Sequence, residues 1–199
     1  CFQAEDGRLV TSVTGVQTCA LPISITIREF SARIYFRDLG EETVNIDGIT
    51  VRTMLLNHPG NCLGYRIEHH DRSICYITDN ELFLPDNPLY NANYVERLIE
   101  FCRGADLLIT DTTYTDAEYA TKVTWGHSCI SRVVDLAHRA EVKTLHLFHH
   151  DPNQHDDAVD AKLEQARAAL ADLGSKTVCE APAEGTTLKL RCCRDAGDD

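Results

Sequence analysis

The spacing of the apolar residues changes near residue 79, and this change restricts most strongly what the chain can fold into. Before it, apolar and polar residues alternate with the period of two that β-strands show. After it, strand-like apolar runs are separated by stretches with helical spacing. This order predicts an α/β fold in which an antiparallel first half is followed by alternating strands and helices, with the helices covering the sheet.

The individual elements can be placed from the same pattern. Strands are predicted at residues 25–36, 50–56, 64–69, 73–78, 105–110, 143–148 and 186–190. Helices are predicted at residues 93–103, 128–140 and 156–173. We expect Ser128 to cap the start of the second helix, because a serine hydroxyl accepts hydrogen bonds from free amides. We expect Gly174 to end the third helix, because glycine adopts the left-handed conformation easily.

The first 24 residues fit none of these elements. Residues 13–23 (VTGVQTCALPI) look like the conceptual translation of a common sequencing-library adapter. We therefore expect residues 1–24 to be non-native, residues 25–191 to form one partial domain, and residues 192–199 to fray. A chain of 199 residues is long enough to bury one hydrophobic core.

The composition excludes several classes of function. A net charge of −12 repels a phosphate backbone, so nucleic acid is not a favoured partner. The apolar runs have the length of strands, which is too short to span a membrane. The nine cysteines are scattered and include no C-x-x-C pair. This usage fits a reducing cytoplasm better than a secreted disulfide scaffold, and it disfavours a thiol redox site.

Polar residues that can bind metals recur where predicted strands stop. His58 comes after the run TMLL, Asp79 after CYIT, Asp111 after LLIT and His149 after LHLF. In layered α/β folds such strand ends meet at one edge of the sheet, where loops build a site. Imidazole nitrogens and carboxylate oxygens are ligands of hydrolytic zinc and manganese sites. A single such histidine is more typical of a hydrogen-bonded structural residue, but four successive strand ends favour a metal site.

The segment Trp125-Gly126-His127-Ser128 lies directly before a predicted helix. Glycine at this point allows the backbone to bring His127 close to a ligand. The free amides at the start of a helix favour an anion such as phosphate, and histidine can give or take a proton near neutral pH. The segment therefore predicts a phosphate-handling loop, although a simple helix-capping arrangement would have the same sequence.

These segments together carry a family resemblance. The stretches LNHPGNCLGYRIEHHDRSICYITDNE, ADLLITDTTYTDAEY, WGHS and LHLFHHDP resemble the metallo-β-lactamase-fold hydrolases of the phosphoribosyl or cyclic-nucleotide phosphodiesterase type, which are relatives of the tRNA 3′-processing ribonuclease. The resemblance extends over residues 50–173. It implies a metallo-β-lactamase-like αββα sandwich, a small phosphodiester substrate and the homodimers that are common among such enzymes.

The resemblance also implies roles for single residues. His58 matches a ligand of one metal, His149 matches a ligand of a second, and Asp79 matches the aspartate that bridges both. His127 matches the histidine that contacts the scissile phosphate or protonates the leaving oxygen, so the catalytic candidates are His127 and Asp79. The implied cofactors are two divalent metals, zinc or manganese with iron as a further candidate, whose bridging hydroxide attacks phosphorus in line.

Three further residues are secondary candidates under the same resemblance. Asp111 and Tyr114 could orient the metal ligands. Asp111 could equally form an Asx turn that has no role in the site. His150 is adjacent to His149 and would point to the opposite face if the strand continued, so it ranks below His149.

One departure separates this chain from the family that it resembles. The signature His-x-His-x-Asp-His supplies many of the metal ligands and lies upstream of these motifs, but the first histidine here is His58. We therefore expect an N-terminally truncated C-terminal portion that is inactive as it stands. The alternatives are a tRNA-processing type of ribonuclease and a non-catalytic sensor or interaction module of the same fold.

Overall fold

A computed structural model describes residues 8–9 and 37–190, and its central element is a mixed sheet of seven strands. In sheet order the strands are β3 (Thr43–Ile46), β4 (Ile49–Leu55), β5 (Leu63–His69), β6 (Arg72–Ile77), β7 (Leu107–Asp111), β8 (Thr144–Phe148) and β9 (Val178–Glu180). The strands from β3 to β6 pair antiparallel, and those from β6 to β9 pair parallel. A separate short pair joins β1 (Arg8–Leu9) to β2 (Arg37–Asp38).

Helices connect the parallel strands and cover one face of this sheet. They are α1 (Ala92–Cys102), α2 (Asp116–Tyr119), α3 (Ile130–Arg139) and α4 (Asp156–Asp172). The main core combines buried residues of α1, α3 and α4 with one side of the sheet, including Cys75, Leu108 and Leu145, each fully buried. Parallel strands need crossover connections of this kind. Burial of the apolar faces of the helices against the apolar face of the sheet stabilises the fold.

Local sequence explains where several of these elements turn, begin and end. The β3–β4 hairpin turns through Asp47 and Gly48, whose φ angles are 49° and 85°, the combination that a two-residue type I′ turn requires. Helix α1 begins after Asn91, whose side chain accepts a hydrogen bond from the backbone N–H of Tyr94. Gly174 has a φ of 63° and follows the end of α4.

The predicted α/β class and the change from antiparallel to alternating structure are confirmed. Each strand predicted between residues 50 and 148 is present, as are all three predicted helices, with ends shifted by up to two residues. Gly174 follows α4 as expected. The predicted strand at 25–36 lies outside the described residues, as do residues 1–7 and 192–199 and most of the remaining proposed non-native segment.

Two local predictions are wrong. Residues 186–190 form no strand, and the last strand of the described chain is β9, because the residues after α4 reach the free edge of β8 sooner. Ser128 does not cap α3. Cys129 occupies that position, and its side chain makes no capping hydrogen bond. The Ser128 hydroxyl instead donates to the carbonyl of Asn80 at 2.5 Å and accepts from the N–H of Leu82 at 3.1 Å.

The second face of the sheet leaves large apolar side chains exposed. The strand registers place one residue each from β4, β5, β6, β8 and β9 on this face. All are between 37% and 55% exposed: Leu55, Ile67, Tyr76, Phe148 and Val178. Within residues 8–9 and 37–190, no helix is both long enough and apolar enough to cross a bilayer.

Candidate metal centre

The ends of four strands meet at one edge of the sheet and bring the candidate residues together. The strand pairings place the ends of β4, β6, β7 and β8 at the same edge. Two groups of three side chains there each have ligand atoms within 4.8 Å of one another. One group contains His58, Asp79 and His127, and the other contains Asp111, His127 and His149. The convergence that the strand-end pattern predicted is therefore present in the structure.

Asp79 and His149 have an unusual backbone conformation. Their φ angles are 57° and 58°, in the left-handed region that residues other than glycine seldom adopt. Each residue lies just beyond the end of its strand, β6 or β8. The side chains meet across the edge, with Nε2 of His149 3.3 Å from Oδ1 of Asp79. Left-handed residues of this kind concentrate at functional sites, where the surrounding structure must hold them.

Asp111 is fully buried and acts as the hub of the cluster. Its Oδ1 accepts from the N–H of Thr113 at 3.2 Å, from the hydroxyl of Thr113 at 2.8 Å and from the N–H of Ser128 at 3.3 Å. Its Oδ2 accepts from the N–H of Asn80 at 3.2 Å and lies 2.6 Å from Nδ1 of His127. The Asx turn and the orienting contact, which the sequence left as alternatives, are therefore both made. Both carboxylate oxygens of Asp111 are therefore occupied by hydrogen-bond partners.

His127 lies at the centre of the site, between the other two histidines. Its ring centroid is 5.7 Å from that of His58 and 4.9 Å from that of His149, on which it stacks. Burial by itself lowers the pKa of His127, but the hydrogen bond and the charge of Asp111, with smaller contributions from Asp79 and Glu81, raise it above its usual range. Because Nδ1 faces Asp111, Nε2 is the ring nitrogen left to meet a ligand.

Two further residues shape the site: Thr113, which the sequence did not single out, and Gly126, which it did. The hydroxyl of Thr113 lies 2.7 Å from the carbonyl oxygen of His149 and so joins the β7 and β8 ends. Gly126 has a φ of 91°, and a Cβ there would lie only 2.3 Å from Cδ2 of His58. The sequence identified Gly126 as permissive for close approach, but no local signal marked Thr113, because its partner is 36 residues away.

Tyr114 and His150 lie beside the cluster but belong to neither ligand group. Tyr114 is buried, and its ring contacts that of His127 edge-on with centroids 6.1 Å apart. His150 is half-buried, and its Nδ1 has no hydrogen-bond partner. Burial, and then the charge of Lys162, lower the pKa of His150 to about 4. His150 is therefore neutral near pH 7, and it remains the weaker candidate.

The residues at this edge fit a divalent metal. Nitrogen and carboxylate donors of this kind suit zinc, manganese and iron equally, so the donor set does not select among them. Nδ1 of His58 lies 3.1 Å from the carbonyl oxygen of Gly60. The tautomer that donates from Nδ1 to this carbonyl leaves the Nε2 lone pair available to a metal. Donors held by such surrounding hydrogen bonds are typical of protein metal ligands.

Comparison with known proteins gives consistent results. The model of a β-lactamase superfamily domain matches residues 19–150. Ribonuclease Z of Thermoplasma acidophilum is 29% identical over 184 residues, which cover 74% of this chain and 59% of that protein. Ribonuclease Z of Brevibacillus brevis is 36% identical over 75 residues, which cover 37% of this chain and 23% of that protein. The chain thus spans less than two thirds of the length of these relatives.

Solved structures support the same fold. The metallo-β-lactamase-fold protein YhfI from Bacillus subtilis aligns with a TM-score of 0.53 and 17% identity, over 71% of this chain and 49% of that one. Unliganded yeast PDE1 aligns with a TM-score of 0.59 and 9% identity, over 73% of this chain and 47% of that one. At such identities the likeness confirms the predicted metallo-β-lactamase fold and says nothing of substrate.

Proposed function

Since the chain belongs to the metallo-β-lactamase superfamily, a class of metal-dependent hydrolases, we propose that its strand-end cluster serves the hydrolysis of a phosphodiester. His58, Asp79 and His149 are the proposed metal ligands, and His127 is the proposed acid–base group. The observation that carries the proposal is the pair of ligand groups that share His127, with donor atoms within 4.8 Å of one another in each group. Because the chain spans only part of its relatives, the activity proposed is that of the whole protein.

The proposed chemistry divides between the metal and the protein. A divalent cation at this edge would supply Lewis-acid polarisation of a phosphoryl oxygen. Nδ1 of His127 faces Asp111, whose hydrogen bond and charge raise the pKa of the ring and favour its protonated form in the metal-free chain. A cationic ring presents an N–H at Nε2, which can donate to a phosphate oxygen or to the departing oxygen. The hydrogen bonds around Asp111 fix the ring so that no reorientation is needed during the reaction.

A small phosphodiester is the proposed substrate. The loops that form the site edge, residues 56–62, 78–91, 111–131 and 149–155, contain one lysine and no arginine. That lysine is Lys122, and the whole chain carries a net charge of −12. A long nucleic-acid backbone needs several cationic contacts, whereas one small phosphate ester can be neutralised by the bound cations.

RNA is the second candidate substrate. It is favoured by the curated relatives, since the two described above are both named ribonuclease Z. This finding weighs against the expectation from composition that nucleic acid is not a partner. A ribonuclease with so few cations at its site would have to bind RNA through another part of the protein. The two candidates therefore differ in which part of the protein binds the substrate. The bond that is cleaved is a phosphodiester in both.

The test is hydrolysis of three substrates in parallel with zinc, manganese or a chelator. The substrates are bis(p-nitrophenyl) phosphate, a 2′,3′-cyclic nucleotide and an RNA with a 3′ extension. The proteins are this chain and a longer one extended at its N-terminus by a segment that carries His-x-His-x-Asp-His. We expect metal-dependent turnover in the longer protein, and we expect His127→Ala to lower kcat by about 100-fold or more. Exposed His69, changed to alanine, is the matched control and should leave turnover unchanged.

The outcomes separate the candidates. Faster cleavage of the cyclic nucleotide than of RNA supports the small-substrate proposal, and the reverse supports the ribonuclease. A longer protein that binds metal but hydrolyses none of the three substrates contradicts the proposal and favours a non-catalytic sensor of the same fold.

A further inference from the structure

Glu81 is a buried carboxylate that the proposed chemistry does not use. It is 2% exposed and lies two residues after Asp79. Its Oε1 accepts from the hydroxyl of Tyr119 at 2.7 Å and from the N–H of Thr124 at 2.7 Å. Its Oε2 accepts from the N–H of Gly126 at 2.8 Å. A buried carboxylate is costly unless such donors satisfy it, and here both oxygens are satisfied.

The two backbone donors belong to the turn that leads into His127. Thr124 and Gly126 have φ angles of 73° and 91°, so the turn uses left-handed backbone at two of three successive positions. A non-glycine residue such as Thr124 resists that conformation. Charge-assisted hydrogen bonds to one carboxylate supply the stabilisation that such a turn requires.

The backbone of Glu81 makes a second set of contacts, to the segment that carries His58. The N–H of Glu81 donates to the carbonyl of Asn57 at 2.8 Å, and the side-chain amide of Asn57 donates to the carbonyl of Glu81 at 2.8 Å. Glu81 therefore joins three segments, 57–58, 79–81 and 124–127. These are the segments that supply His58, Asp79 and His127, the first of the two ligand groups.

We propose that Glu81 is a positioning residue that holds His58 and Asp79 in their geometry for a divalent cation, with His127 beside them, before the cation binds. The inference rests on the proposed metal-dependent function. Glu81 is not itself a ligand, because both of its oxygens are occupied by donors and it belongs to neither ligand group. It acts through the turn at 124–127, not through the substrate.

The substitution Glu81→Gln tests this proposal while keeping size and shape. An amide nitrogen then replaces one accepting oxygen and faces a donor, either the N–H of Gly126 or the groups of Tyr119 and Thr124. At least one donor loses its acceptor, and the turn must move. Tyr119→Phe is the milder variant, because it removes one donor and leaves the carboxylate and both backbone bonds. Glu100→Gln, on the exposed surface of α1, is the matched control for loss of a carboxylate charge.

The chain provides its own reporter for the turn. Trp125 is the only tryptophan, lies between Thr124 and Gly126, and is 56% exposed. Acrylamide quenching of its fluorescence in the metal-free protein reports the turn without any metal or substrate. Competition with a chromophoric chelator gives the zinc affinity of the same samples, and urea unfolding shows that each variant is folded where it is measured.

We expect Glu81→Gln to weaken zinc binding by about 10–100-fold and to raise the quenching constant of Trp125. Tyr119→Phe should shift both quantities in the same direction but less, and Glu100→Gln should shift neither. If Glu81→Gln fails to fold, the changes in zinc affinity and in quenching that Tyr119→Phe causes test the proposal instead. Unchanged zinc affinity and unchanged quenching in a folded Glu81 or Tyr119 variant would overturn the proposal. A protein that binds zinc but hydrolyses nothing contradicts the proposed function alone, because neither readout depends on turnover.

Discussion

At the residue scale, Asp111 shows how one carboxylate can set a site without meeting a substrate. It is fully buried, and its hydrogen bonds reach three parts of the chain: the end of β6, the residues after β7, and the turn before α3. Its shortest contact, 2.6 Å, is to Nδ1 of His127. A short hydrogen bond to a carboxylate fixes the orientation of the imidazole ring and favours a proton on Nδ1, the nitrogen that faces Asp111.

Asp111→Asn should lower the pKa of His127, because it removes the negative charge and one of the acceptors that raise that pKa. The raised pKa of His127 also determines how the stability of the folded chain changes with pH. A raised folded-state pKa stabilises the folded chain at pH values below the ordinary histidine pKa, and that stabilisation is lost as pH rises through the folded-state value. NMR titration of the ring nitrogens of His127 measures the change. An unchanged titration of His127 would show that Asp111 does not control it.

At the element scale, the turn between α2 and α3 brings His127 to His58 only because residue 126 is glycine. A Cβ at this position would lie 2.3 Å from Cδ2 of His58 and 2.8 Å from Cδ of Pro59, and the backbone has a φ of 91°. A side chain at residue 126 would therefore destabilise the fold in two ways, through the left-handed backbone conformation and through collision with His58 and Pro59.

Gly126→Ala should lower the free energy of unfolding by more than Gly104→Ala does, and it should weaken metal binding. Gly104 also has positive φ, 62°, but a Cβ there would meet nothing within 4 Å, so it measures the conformational cost alone. We expect about 1 kcal/mol for Gly104→Ala and about 1–3 kcal/mol more for Gly126→Ala, measured by urea unfolding. Equal effects of the two substitutions would contradict the close approach of His58.

Helix α4 is tied to the site by a buried cation. Lys162 is fully buried, and its Nζ donates to the carbonyls of Thr112 at 2.7 Å and Thr113 at 3.1 Å. Burial lowers the pKa of Lys162 from 10.5 to about 8. Between these two values the unfolded chain binds more protons than the folded one. The free energy of unfolding should therefore rise with pH across this window and fall as pH drops through it.

Urea unfolding of Lys162→Met at several pH values from 8 to 10.5 tests this dependence. The variant should be less stable overall, because two carbonyls lose their donor, and its profile should lack the rise contributed by Lys162. Lys176→Met, at an exposed position, should keep the wild-type profile. A rise of the same size in Lys162→Met would mean that other groups cause it.

The sequence predicts those parts of the site that leave a local pattern in an element, and it does not predict those that depend on contacts between distant residues. His58, Asp79, Asp111 and His149 were found because strand ends leave a local signature, and parallel strands bring their ends together. No local pattern predicts the role of Glu81, since the partners of its carboxylate are 38 to 45 residues away and only the folded turn brings them near. The alternating residues 186–190 indicated a strand, but a strand also needs a free edge in reach, and β9 pairs with β8 first.

At the scale of the whole molecule, one face of the sheet is packed and the other is partly open. Helices α1, α3 and α4 cover the first face. The second face carries the exposed side chains described above, among them Tyr76 and Phe148, whose rings lie 6.2 Å apart. An exposed apolar surface on a sheet is typical of an interaction surface or a cause of aggregation.

We therefore expect this chain to bind a hydrophobic dye and to associate with increasing concentration. Ile67→Lys, on the open face, should reduce both effects, because it places a charge among the exposed side chains. Leu188→Lys is the matched control, since Leu188 is also exposed but lies outside the sheet. Dye fluorescence and sedimentation velocity measure the two effects. Equal reductions in both variants would show that the open face has no special part in association.

Anomalous diffraction at the zinc absorption edge tests most directly whether the strand-end cluster binds a divalent metal. Crystals of the chain grown with zinc should show a peak about 2.0–2.2 Å from donor atoms of at least two of His58, Asp79 and His149. The same map from His149→Ala should lose or weaken that peak. Zinc bound elsewhere on the protein, with no peak beside the carboxyl ends of β6 and β8, would contradict the proposed metal site. These histidines would then have a structural role.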